Sequence, residues 1–144
     1  MSVFTGTYTF AKNGTSANPT ITELPCAAGV IHRIRIRFPP GSRALLNIAL
    51  FQGSTPIAPS NVGMTFQGDS EIIEFDEFYE FVEKPYAINV VGWNTDTVLS
   101  HLVIIQVGVL PKWALLPIAV TEGIMSTIKY FLQSSISSRK AVKE

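Results

Sequence analysis

The chain has 144 residues, enough for one core of ordinary size and too few for two comfortable domains. Apolar residues make up 47% and charged residues 15%, which excludes a disordered chain, because ample apolar surface offsets the entropy of ordering. Eleven basic and eleven acidic residues cancel, so no global field draws the protein to nucleic acid or to an anionic membrane, and low charge with positive mean hydropathy predicts association into an oligomer.

The N-terminus lacks the basic start and long apolar run of a signal peptide, so synthesis in a cytoplasm is expected. The first strand is expected at Thr5 to Phe10, where Thr alternates with aromatic residues. Asn13-Gly14-Thr15 matches a glycosylation acceptor but reads as a turn. A second strand is expected at Thr20 to Leu24. Cys26 has no partner for a disulfide, a metal knuckle or a redox pair.

Val30 to Phe38 and Ala44 to Gln52 carry a clear strand signal. Pro39-Pro40-Gly41-Ser42 between them predicts a tight reversal, with Pro40 fixing φ and Gly41 tolerating positive φ, and hence an antiparallel pair. Ser54 to Gly68 reads as a long connecting loop with at most a short strand, the kind of segment that carries recognition residues. Glu71 to Phe75 is a weaker strand. Phe75 to Val82 fits helical spacing too, but its aromatic content favours strand.

Tyr86 to Trp93 and Val98 to Val109 are expected to pair as a hairpin through Asn94-Thr95-Asp96-Thr97. Seven or eight such strands, with Gly, Pro and Asn punctuation, predict an all-β, antiparallel two-sheet sandwich over residues 1 to 110, plausible as a jelly roll. After Leu110 the character changes. Pro111 to Pro117 suits an extended arm, and Glu122 to Ser138 places Ile124, Ile128, Phe131, Leu132 and Ile136 on one face of an amphipathic helix with Thr121 as N-cap. A helix of roughly 25 Å is marginal alone and needs a surface to pack on.

Charge is segregated along the chain. Arg33, Arg35 and Arg37 fall on one face of their strand, and Arg43 follows; residues 69 to 83 hold acids, Glu74 and Glu77 among them, and no base. Two readings stand: complementary patches on neighbouring subunits, or a solvated cross-strand network within one molecule. The arginine row would need further basic groups to bind nucleic acid, and the acidic run lacks the spacing that wraps Ca²⁺. No metal or other cofactor is expected.

Catalytic signatures are missing. There is no nucleophile elbow, phosphate loop or metalloprotease helix, and the carboxylates Glu74 and Glu77 would need a spatial separation that sequence cannot supply to serve glycoside hydrolysis. His101 shares a strand face with Leu99, Val103, Ile105 and Val107, the setting of a satisfied histidine at a core margin. The expectation is a protein that is not an enzyme. Trp93, Tyr86, Trp113 and Tyr79 are candidates for a sugar-stacking platform, so a carbohydrate-binding or adhesion module is the second expectation. A peripheral membrane role for the helix is a third, undercut by few flanking basic residues.

A short sandwich with a strand-forming N-terminus, low charge and an apolar C-terminal arm resembles virion structural proteins of the single jelly-roll kind. The resemblance covers residues 1 to 110 as the sandwich and 111 to 144 as the arm. It implies a capsid vertex, minor capsid, cement or tail-connecting subunit, located in the virion after assembly in the host cytoplasm. Its partners would be further copies and other structural subunits. The arm would reach onto a neighbour, with Trp113, Leu116, Ile124, Ile128, Phe131, Leu132 and Ile136 as contacts alongside the charged rows.

Overall fold

A computed structural model describes residues 1–115 of the chain. Residues 1–110 form one compact unit, and the described part of the remainder is a single 3₁₀ turn, Lys112–Leu115. The unit contains eight strands: β1 (Ser2–Phe10), β2 (Thr20–Pro25), β3 (Val30–Phe38), β4 (Leu46–Gln52), β5 (Thr55–Ala58), β6 (Glu71–Glu80), β7 (Ala87–Asn94) and β8 (His101–Leu110). They form two four-stranded sheets, ordered β1-β8-β3-β6 and β2-β7-β4-β5, in which all paired strands are antiparallel.

Side chains alternate across each strand, so every strand offers one face to the space between the sheets. From the first sheet come Ile34, Ile36, Phe38, Val103, Ile105 and Val107; from the second, Leu46, Ile48, Leu50, Ile88 and Val90. All are 1% exposed or less. Each fully buried aliphatic side chain contributes about 1.5–3 kcal/mol, which identifies this layer as what holds the sheets face to face. The two central strands of each sheet supply most of it, because only a central strand is flanked on both edges.

The expected sandwich is present, but two expected strand pairings are not. β3 does not pair with β4: it lies between β8 and β6 in one sheet, and β4 lies between β7 and β5 in the other. The Pro39 to Ser42 turn reverses the chain, with Gly41 at φ 111°, but Arg43 and Ala44 follow in the left-handed region at 50° and 59°. The turn is also tied sideways, by Gly41 N donating to Asp69 Oδ1 at 2.8 Å and the buried Ser42 hydroxyl donating to Gly68 O at 2.5 Å. A reversal anchored to another loop carries the chain across the core instead of zipping it into a hairpin.

The same correction applies to β7 and β8, which belong to different sheets. Buried Asn94 directs this crossing. Its Nδ2 donates to Phe10 O at 3.2 Å and Leu99 O at 2.9 Å, and its Oδ1 accepts from Asp96 N at 3.0 Å. Strand β8 consequently begins at His101, and Val98 and Leu99 are exposed in the connection. Elsewhere β1 starts at Ser2, β4 starts at Leu46, and a short β5 interrupts the loop expected from Ser54 to Gly68. The ambiguous segment from Phe75 continues β6 as strand to Glu80.

Candidate functional site

The charged rows meet on the outer face of the β1-β8-β3-β6 sheet. Strands β3 and β6 are neighbours, with Arg35 opposite Glu74 and Arg33 opposite Asp76. Arg33 Nε lies 2.7 Å from Glu74 Oε1, with both side chains substantially exposed. Arg35 leans the other way, donating from Nη1 to Gln106 Oε1 on β8 at 3.4 Å. Arg37 is opposite Ile72 on β6 and Ile104 on β8. Glu77 is not part of this row. It has the opposite parity from Glu74 along β6, and its Oε1 accepts from the adjacent Phe78 amide at 3.0 Å. The segregated charges are thus brought together within one chain.

Trp113 is 70% exposed in the 3₁₀ turn. Leu116, Ile124, Ile128, Phe131, Leu132 and Ile136, the remaining expected interface residues, lie outside the described residues.

The outer face of the second sheet is different in kind. Asn47, Ala49 and Phe51 project from β4, and Val91 and Trp93 from β7; with Met64, Thr65 and Gln67 they line a groove of about 770 Å³. Its remaining lining residues are Ser16, Pro19 and Gly63, so no charged side chain borders it. Asn47 organises the rim: its Oδ1 accepts from Thr65 Oγ1 at 3.0 Å and from Gln67 Nε2, and its Nδ2 donates to Leu45 O at 3.3 Å. The Ile48 and Phe66 backbones exchange two hydrogen bonds, which hold the 59–68 segment against β4.

Sequence reasoning named Trp93 and the 54–68 loop but not Asn47, Phe51, Met64, Gln67 or Val91. The β4 sequence LNIALFQ reads as an almost continuous apolar run, and such a run does not reveal which parity faces the core. The usable signal was the single Asn at position 47, which places the odd residues outward.

Two titratable sites remain. His101, 9% exposed, sets Nε2 2.7 Å from Asp96 Oδ2. An ionised carboxylate can only accept, so that nitrogen carries the proton. Hydrogen bonds from the Val98 amide and then from His101 hold the Asp96 carboxyl below its usual range. This pair closes the 94–100 connection. Burial pushes the Cys26 thiol up to about 11, the reverse of an activated nucleophile. Among the described residues no group of three or more His, Cys, Asp and Glu side chains is placed to hold a metal ion, and no helix is long and apolar enough to cross a membrane.

Compared with protein-family models, curated proteins and solved structures, the chain gives no significant match.

Proposed function

We propose that this protein is a self-assembling structural subunit of a virion, of the single jelly-roll kind. The observation that supports this reading most is the interleaved strand order β1-β8-β3-β6 facing β2-β7-β4-β5. In it, every connection except β4 to β5 crosses from one sheet to the other, the wrapped arrangement of a jelly roll, an architecture shared by viral capsid and lectin domains. Fold alone assigns no function. Assembly is further supported by large apolar side chains left exposed on the sandwich, including Ile21, Met64, Ile72 and Phe78 at 47% to 71%. With zero formal net charge there is little repulsion between copies.

In this reading residues 111–144 add contacts to neighbouring subunits, and the arginine row serves chiefly to clamp β6 onto β3 within each subunit. Electron microscopy and light scattering of the purified full chain across a concentration series test the proposal. Discrete particles, rings or tubes are the expected outcome. A monodisperse monomer at the highest concentration reached overturns it.

One observation favours a second reading, a carbohydrate-binding module. The uncharged groove places Trp93 and Phe51 beside the amides Asn47 and Gln67 and the hydroxyls Ser16 and Thr65, a lining suited to a neutral sugar that stacks its apolar face on an aromatic ring. Glycan-array binding that is lost in Trp93→Ala and retained in Trp113→Ala supports this use of the groove; binding that survives Trp93→Ala removes it.

A further inference from the structure

Among the described residues each sheet ends in two edge strands, and an edge strand is a template for pairing unless something blunts it. Three of the four edges here are blunted. Strand β6 carries Glu71, Glu74, Asp76, Glu77 and Glu80, which would oppose like charges in any self-pairing. Strand β5 is only 4 residues long and contains Pro56, which has no amide hydrogen to donate. Strand β2 is 6 residues long, carries Glu23 and ends at Pro25. Strand β1 has none of these devices. Its 9 residues, SVFTGTYTF, include no charge and no proline, and its register with β8 runs from Ser2 to Phe10 without a bulge.

We propose that the β1 edge is a homotypic interface, pairing antiparallel with β1 of a second copy across a two-fold axis centred on Gly6. The inference rests on the assembly reading above and names its contact. A two-fold interface must be self-complementary, and this strand is. Centring on Gly6 pairs all nine residues. On the outward face Thr5 meets Thr7 of the second copy, Thr7 meets Thr5, and Val3 meets Thr9. On the inward face Phe4 meets Tyr8 and Tyr8 meets Phe4.

Thr–Thr and aromatic–aromatic pairs directly opposite one another are favourable cross-strand combinations. Phe4 and Tyr8 are only partly buried against their own core, so pairing completes their burial. Gly6 suits the centre, because a Cβ there would collide with the Tyr8 ring of its own chain, which already covers that position. The result is a continuous eight-stranded sheet, β6-β3-β8-β1 running into β1-β8-β3-β6 of the second copy. The acidic β6 edges then end the sheet and prevent further growth in that direction.

Two full-length double variants test this. In Thr5→Lys with Thr7→Lys, the proposed register sets lysine against lysine twice, and the two-fold contact is expected to break, lowering the solution mass at least two-fold. In Thr5→Lys with Thr7→Glu, the same register sets lysine against glutamate twice, and the mass is expected to stay at the wild-type value. Both positions are exposed in the single subunit, so circular dichroism should show the same fold in both variants, which separates loss of the contact from loss of folding.

An assembly whose mass is unchanged in the lysine pair variant overturns the β1 interface while leaving the assembly reading intact. A wild-type chain that is monomeric at all concentrations overturns both. Slow hydrogen exchange along the outer edge of β1 in such a monomer would show that another segment of the same chain covers this edge.

Discussion

His101 Nε2 sits 2.7 Å from Asp96 Oδ2, joining the first residue of β8 to the loop that delivers it. Because the folded Asp96 carboxyl titrates below its ordinary value near 4, its interactions stabilise the fold above that value. The contribution is lost as pH falls through the depressed folded pKa. The wild type is therefore expected to lose more stability between pH 5 and pH 2 than Asp96→Asn, measured as urea midpoints across that range. Equal slopes would show that this carboxylate does not couple to folding.

Asn94 is fully buried and uses both its donor and its acceptor on the backbone of three residues, Phe10, Leu99 and Asp96. In Asn94→Ala the Phe10 carbonyl is left unsatisfied inside the fold, at about 1–3 kcal/mol for a buried deficit, and the Leu99 and Asp96 groups lose partners nearer the surface. A total loss of about 2–4 kcal/mol is expected in denaturant unfolding. Thr95→Ala removes a hydroxyl that bonds Leu45 O at the exposed rim and is expected to cost under about 1 kcal/mol.

The Arg33–Glu74 pair is exposed, with side chains at 55% and 39%. Solvent screening limits such a pair, so a double-mutant cycle with Arg33→Ala and Glu74→Ala is expected to give a coupling of about 0.2–1 kcal/mol. The charge-swapped double variant should fold like the wild type. A coupling well above this range would mean that the row is desolvated, as an interface between subunits would make it.

Gly92 on β7 has no room for a side chain. An added Cβ would come within 2.7 Å of Asn47 O and 2.8 Å of both the Ile48 and Phe10 side chains, two of which are core groups without slack. Gly92→Ala is expected to lower stability by about 1–3 kcal/mol through overpacking. Gly63→Ala meets nothing within 4 Å but sits at φ 88°, so its expected cost is backbone strain of about 1 kcal/mol or more.

The contrast between turns and partners explains how far the sequence could be read. Pro39 to Ser42 announced a reversal after Phe38, and Asn94 to Thr97 another after Trp93; both reversals exist. Which strand then lies beside which is a separate matter, because a reversed chain can pair with the strand it left or pack across the core from it. Ser42 bonded to Gly68, and Asn94 bonded to Phe10 and Leu99, decide for the crossing. The Ser42–Gly68 and Asn94–Phe10 bonds join positions far apart in sequence. The charged rows were legible as rows, because alternation is local, but their meeting across β3 and β6 required the sheet order.

Period-two alternation and turn residues act within a few positions, so local sequence suffices for an all-β chain with strands in nearly the observed places. It also determined that β1 is uncharged and β6 acidic. Tertiary structure alone decided that these two are the edges of one sheet, that the acidic row faces arginines of the same molecule, and that odd residues of β4 and β7 open an uncharged groove. Edges, faces and grooves are products of long-range pairing, and pairing is set by the burial of the whole core at once.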